Sequence, residues 1–179
     1  MPESHWKYVT EMNTEGFREI MVTYGQDVWN LAFIITRRRD LADDIVQDVF
    51  LQVYRNIESF RGEASMKTWL LAITRNISAN ALRSAFIRKV TLVEWVAPKS
   101  ASPSAENEAM EHAFTNEIWE AVFKLPLKLR EVLILHAKYE LNVKEIASIL
   151  HLPEGTVKSR LSRARKLISA GWKEEAAYE

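Results

Sequence analysis

Two kinds of side chain in this 179-residue sequence are spaced for chemistry: carboxylates gathered in one stretch, and cations mixed with short hydroxyls in two others. Asp40, Asp43, Asp44 and Asp48 lie within nine positions. Carboxylates at that density suit a divalent cation, and with basic surfaces as substrate grips they would serve a metal-dependent nuclease. Asp40, Asp44 and Asp48, however, form one stripe at helical spacing, with no His beside them and no second acidic helix to close a coordination shell. No metal, cofactor or catalytic residue is therefore assigned. Continued by Gln47 and Leu51, the stripe reads as a helix face that is either solvated or covered by a protein partner.

The cations tell a different story. From Ala64 to Val93 there is no acid, while Lys67, Arg75, Arg83, Arg88 and Lys89 accumulate, and Lys158 to Lys166 is a second basic cluster. The second cluster sits in a run, Asn142 to Ile168, that reads as two helices about a tight turn. Asn142 with Glu145 three residues on is an Asn variant of the capping box, and Ile146, Ala147 and Leu150 make a buried stripe. His151-Leu152 is the turn. Pro153 suits the first position of the next helix, and Glu154 sits near the positive end of its dipole. In that second helix Val157, Leu161, Ala164 and Ile168 fall on one side, and Thr156, Ser159, Arg160, Arg163 and Lys166 on another. Short polar side chains near a helix N-terminus approach base edges, and Arg or Lys further along neutralise phosphates. The pattern is that of a DNA-reading helix-turn-helix; a charge run by itself would more simply be a solvated face.

The elements that must position these residues are helical. Only 5 Gly and 5 Pro argue against a turn-rich β protein, so an all-α chain of two small helical domains is expected. Phe17, Ile20, Met21, Tyr24, Val28, Leu31 and Ile35 recur at helical spacing, with a slip at Gly25, up to the cluster Arg37-Arg-Arg39. Asp40 is placed to cap the next helix, whose apolar side is Ile45, Val46, Val49, Phe50 and Val53. After a loop from Glu58, Ser65 caps a helix from Met66 to about Arg88. Met66, Trp69, Leu70, Ile73 and Ile77 form its buried stripe, and Thr68, Ala72, Arg75, Asn76, Ala79 and Arg83 lie opposite. Trp69 is assigned to packing and not to base stacking.

Residues 94–112, with Pro98-Lys-Ser-Ala-Ser-Pro103, read as a linker between domains 1–93 and 113–179. Fully extended, about 19 residues reach roughly 65 Å, nearly two turns of duplex at about 34–36 Å each. Phe114, Ile118, Val122 and Leu125 start a helix that stops near Pro126, and Leu129 to Tyr139 leads into the helix-turn-helix. There is no Cys, so there are no disulfides or thiolate metal sites. The opening Met-Pro-Glu-Ser-His-Trp lacks a basic segment followed by an apolar core, and no apolar run is long enough to cross a bilayer, so a cytoplasmic protein without membrane insertion is expected. A formal net charge of zero conceals segregated basic and acidic surfaces, which points to nucleic acid on some faces and a different partner on others.

The order acidic helix, loop, basic helix, linker, helix-turn-helix resembles an extracytoplasmic-function sigma factor of the bacterial sigma-70 family. The resemblance covers nearly the whole chain. Asp43-Asp-Ile-Val-Gln-Asp-Val-Phe50 resembles the polymerase-binding region 2.2, Ser59-Phe-Arg-Gly62 and Lys67-Thr-Trp-Leu-Leu-Ala-Ile-Thr-Arg-Asn76 resemble regions 2.3 and 2.4, and Leu125-Pro126 through Leu167 resembles region 4. It implies that Asp40, Asp43, Asp44, Gln47, Asp48, Phe50 and Leu51 meet core RNA polymerase. It implies that Phe60, Arg61, Lys67, Arg75, Asn76, Asn80 and Arg83 hold the single-stranded minus-ten element. Glu154, Thr156, Ser159, Arg160 and Arg163 would read the duplex minus-thirty-five element, with Lys158 and Lys166 on phosphates. A membrane-associated anti-sigma factor is the family's usual regulator, which would hold the protein at the membrane without inserting it.

The chain departs from the family pattern at Asn80, where Asp is common, at Leu71-Ala72, where Tyr-Arg is common, and at His151, where Gly is common. The rival from another class is a stand-alone helix-turn-helix regulator that binds operators without polymerase. It would need a dimerisation helix or effector pocket, and the basic Met66 to Lys89 segment argues against its using the N-terminal half as a sensor.

Overall fold

The computed structural model describes residues 14–91 and 117–175, with side chains described over 14–84 and 117–170. The chain divides into two compact units, Met1–Trp95 and Val96–Glu179. All regular structure among the described residues is helical. The expected linker 94–112, the Arg88 and Lys89 side chains and Phe114 lie outside the described residues.

The described residues of the first unit form a three-helix bundle. Helix α1, Thr14–Thr36, runs unbroken through Gly25, so the anticipated slip does not occur. Its inward face carries Ile20, Tyr24, Val28, Leu31 and Ile35, joined by Trp29, Ala32 and Ile34, while Met21 stays largely exposed. Arg37 takes a left-handed conformation (φ 55°) that ends the helix, and its N–H donates to the Phe33 carbonyl at 2.7 Å. Helix α2, Arg39–Asn56, follows at once. Asp40 does not cap it: Arg38 occupies the cap position, and Asp40, two positions further in, accepts a hydrogen bond from Arg38 Nε instead. Helices α1 and α2 are pinned where Trp29 Nε1 donates to Asp43 Oδ1 at 2.7 Å.

A 3-10 turn, Ile57–Ser59, and a loop with Gly62 at φ 67° lead to α3, Met66–Thr91. Ser65 caps it as expected, its Oγ accepting from the Thr68 N–H at 3.0 Å. The buried face of α3 is rotated from the expected stripe: Met66, Leu70, Leu71 and Ile73 are inside together with Thr68, Thr74 and Ser78, whereas Trp69 and Ile77 are only half-buried. The hydroxyls tolerate the interior because each bonds its own helix. Thr74 Oγ1 donates to the Leu70 carbonyl and Ser78 Oγ to the Thr74 carbonyl, both at 2.7 Å.

The described residues of the second unit form four helices: α4, Glu117–Lys124; α5, Leu127–Ala137; α6, Val143–Leu150; and α7, Glu154–Glu175. Helices α4, α5 and α6 all pack against α7. Val122, Val132, Leu135, Ile146, Val157, Leu161 and Ala164 form the centre of its core. Arg130 and Glu131 are also inside, the Arg130 guanidinium lying over the Phe123 ring 5.8 Å from its centroid. Full burial of a Val or Leu side chain contributes about 1.5–3 kcal/mol, so α7 is fastened through its apolar side while its polar side stays free for a partner.

Candidate nucleic-acid interface

The second unit builds a helix-turn-helix from local chemistry. The Asn142 side chain accepts from the N–H groups of Lys144 (2.9 Å) and Glu145 (3.0 Å), and Glu145 Oε2 accepts from the Asn142 N–H at 2.8 Å, so the capping box is closed in both directions. Helix α6 ends on His151 in the left-handed region (φ 52°, ψ 49°). The Leu152 N–H reaches the Ala147 carbonyl at 3.0 Å and the His151 N–H the Ser148 carbonyl at 3.3 Å, the paired bonds of a Schellman ending. His151 thus adopts the geometry that Gly takes without steric cost. Pro153 lies one position earlier than expected, before α7 and not in its first turn. Its carbonyl receives the N–H groups of Thr156 (2.9 Å) and Val157 (3.2 Å), which starts the helix.

Val157, Leu161 and Ala164 turn inward, which leaves Glu154, Lys158, Ser159, Arg163 and Lys166 exposed and Thr156 and Arg160 half-buried at the edge. At about 100° per residue the direction opposite the buried side is occupied by Gly155, Ser159, Ser162 and Lys166, with Arg163 close by. Ser159 Oγ donates to the Thr156 carbonyl at 2.9 Å, so its lone pairs are left to accept from a base amino group. Ser162 and Arg165, both exposed, were not among the expected site residues. Helical projection alone signals them, Ser162 within the outward row and Arg165 on the same flank as Lys158.

On the first unit the expected residues separate. Asn76, Asn80 and Arg83 are exposed along one side of α3, with Ala72 and Ala79 between them and Arg75 half-buried at the margin, its Nη1 3.5 Å from Asn76 Oδ1. Lys67 does not join them. It projects from the other side of α3 and pairs with Asp27 of α1 at 3.2 Å. Arg61 is exposed in the loop, and half-buried Phe60 packs on Trp69 with ring centroids 5.2 Å apart. Trp69 therefore belongs to the boundary between loop and helix, not to the core stripe it was assigned.

The aspartate face of α2 also divides. Asp44, Gln47, Asp48 and Leu51 are exposed in a row, with Tyr54 beyond them. Asp40 is exposed and bonded to Arg38, whose guanidinium holds that carboxyl below its ordinary value. Asp43 is committed to Trp29. Phe50 cannot anchor a partner: it is only 5% exposed, edge-on to Phe17 in the bundle, because it falls on the same side of α2 as Val49 and Val53. Among the described residues no group of three His, Cys, Asp or Glu is placed to hold a metal ion.

A helix-turn-helix with a basic, outward-turned second helix, carried on one chain with a three-helix bundle bearing separate acidic and polar-basic faces, defines a DNA-binding transcription protein of the sigma type. Residues 20–85 match the family model of sigma-70 region 2, and residues 115–168 that of sigma-70 region 4. The chain is 28% identical over 173 residues to the ECF RNA polymerase sigma factor SigW of Bacillus subtilis, covering 90% of this chain and 91% of that one. It is 30% identical over 170 residues to the ECF RNA polymerase sigma-E factor of Haemophilus influenzae, covering 89% of each. Among solved structures it is similar to the sigma factor RpoE of Bartonella quintana, crystallised in complex with the anti-sigma factor NepR, with a TM-score of 0.69, 25% identity and coverage of 89% of this chain and 98% of that one. The chain belongs to the sigma-70 family, as an RNA polymerase sigma factor of the extracytoplasmic-function type. The stand-alone operator-binding regulator is not favoured.

Proposed function

We propose a division of labour in which each exposed face described above serves one step of promoter recognition. The row Asp44, Gln47, Asp48 and Leu51 on α2 docks on core RNA polymerase, with Tyr54 extending it and Asp40 at its start. Asp43 holds the row in place through Trp29. Asn76, Asn80 and Arg83 on α3, with Phe60, Arg61 and Arg75 beside them, bind the displaced strand of the minus-ten element. Unstacking a base costs a few kcal/mol, and polar contacts with phosphate pairing offset it.

Helix α7 reads the upstream duplex through Glu154, Thr156, Ser159, Arg160 and Arg163, each good base contact contributing about 1–3 kcal/mol of discrimination. Lys158 and Lys166 neutralise phosphates. Because the two units are small and joined in one chain, engagement of both elements is what yields useful affinity, and promoter choice is stringent. The protein performs no chemistry of its own and acts in the cytoplasm. An anti-sigma factor is its regulator, by analogy with the RpoE–NepR complex. Among the described residues no helix is long and apolar enough to cross a membrane.

The observation that carries this reading is the outward-turned polar face of α7 behind a fully capped turn, in a chain that also carries region 2. Run-off transcription with bacterial core polymerase, on fragments of the source genome, tests it. Defined starts that need this protein are expected; no core binding, with polymerase-independent retention of duplex DNA, would overturn it.

A further inference from the structure

Helix α1 packs against both α2 and α3, and one of its turns is bonded to each of them. Trp29 is buried, stacks on Phe33 with ring centroids 5.2 Å apart, and gives its Nε1–H to Asp43 of α2 at 2.7 Å. Asp27, two residues earlier, pairs with Lys67 of α3 at 3.2 Å. Positions two apart on an α-helix differ by about 200°, so the two side chains leave α1 on opposite flanks. The row Asp44, Gln47, Asp48 and Leu51 begins next to Asp43, and Asn76, Asn80 and Arg83 stand on the helix whose first turn carries Lys67.

Burial of Ile45, Val49 and Val53 on α2, and of Met66, Leu70 and Ile73 on α3, favours association but is non-directional. A hydrogen bond weakens steeply once its N–H points away from the acceptor, so it resists a rolling of the helix that apolar packing tolerates. At the other end of the α1–α2 seam Phe17 lies edge-on to Phe50 and Tyr54, at 6.3 and 5.4 Å between centroids. The docking row lies between that end and Asp43. On α3, Lys67 sits at the positive end of the helix dipole, where a cation is unfavourable, and Asp27 supplies the counter-charge.

We infer that the turn from Asp27 to Trp29 braces both working faces of the first unit: Trp29 sets the rotation of the polymerase-docking row through Asp43, and Asp27 that of the strand-binding face through Lys67. The inference rests on the reading of α2 as the docking helix and α3 as the strand-binding one. Trp29 and Asp27 are positioning residues that touch neither polymerase nor DNA. Asp43 serves by its acceptor oxygen and not by its charge, and the Lys67 charge is spent inside the bundle.

The test sets bond-breaking against charge-removing substitutions in the full chain, with circular dichroism and chemical denaturation reporting the folded fraction. Trp29→Phe and Asp43→Ala should each lower core polymerase affinity by roughly three- to tenfold, and the double variant no further than either alone. Asp43→Asn should keep the original affinity, because its amide oxygen accepts the same N–H, whereas Asp44→Asn should lose affinity and make the salt dependence shallower. On the other flank, Asp27→Ala and Lys67→Met should each weaken holoenzyme binding to a single-stranded minus-ten oligonucleotide by roughly two- to fivefold, with the salt slope unchanged. A Lys67 that met the strand would act with the opposite sign: Asp27→Ala would free it and tighten binding, and Lys67→Met would reduce the slope. The inference is overturned if Asp43→Asn loses affinity as Asp44→Asn does, if Trp29→Phe and Asp43→Ala are additive, or if Asp27→Ala tightens strand binding. It is also overturned if the variants lower stability alone and leave both affinities as they were. Silence of Asp44→Asn or of Arg83→Ala overturns instead the reading of that face, and the inference with it.

Discussion

His151 concentrates the strain of the helix-turn-helix in one residue. Its left-handed backbone closes α6 through the bonds from His151 and Leu152, and the exposed imidazole makes no hydrogen bond to the described residues that would offset the conformation. A side chain with Cβ in this region costs roughly 1–2 kcal/mol relative to Gly. His151→Gly is therefore expected to stabilise the second unit by about 1 kcal/mol, read as a higher denaturation midpoint with an unchanged m-value; a lower midpoint would show that the ring makes a compensating contact. The same scale separates Phe50 and Lys67 from the other residues expected on their faces. Each is the right residue type for a partner surface, but Phe50 shares a side with Val49 and Val53, and Lys67 finds Asp27 on a neighbouring helix. Neither fact is visible in a motif.

Among the elements, α1 shows the clearest surplus of flexibility. Gly25 sits inside a continuous helix, and a Cβ built there meets nothing within 4 Å. Glycine in a helix interior is less favourable than Ala by roughly 0.5–1 kcal/mol. Gly25→Ala should raise the stability of the three-helix bundle by about that amount in chemical denaturation, and a loss would mean that α1 must bend at this point. The rotation of α3 is a lesson at the same scale. Counting only apolar residues selected Met66, Trp69, Leu70, Ile73 and Ile77, but the interior includes Thr74 and Ser78, whose hydroxyls are satisfied by their own helix. That rotation turns Trp69 toward Phe60 at the loop and leaves Asn76, Asn80 and Arg83 outward.

At the level of the whole molecule, function requires three faces, and substitutions in one should leave the others intact. Asp44→Ala with Asp48→Ala removes two exposed carboxylates that make no hydrogen bond essential to the bundle. The pair is expected to lower core polymerase affinity by at least tenfold in a pull-down or fluorescence titration. Duplex binding by the second unit should stay as it was. Loss of both together, or of neither, would count against the docking role of α2. Each unit is near the size at which a hydrophobic core alone is marginal, so binding to polymerase and DNA should also raise the apparent stability of the chain by mass action.

The sequence by itself determined the helical class, the two-unit order, the capping box at Asn142, the cap at Ser65 and the basic outer side of α7. Each of these follows from residues within a few positions of one another, and a helix with its caps is a local object with a fixed period. Tertiary structure alone decided that Asp43 is bonded to Trp29, that Phe50 is interior, that Lys67 meets Asp27 of another helix, and that His136, Ser162 and Arg165 share one recess. A period of 3.6 residues states which side chains share a side. It does not state which other helix that side will meet, because the choice is made by packing between segments far apart in the chain.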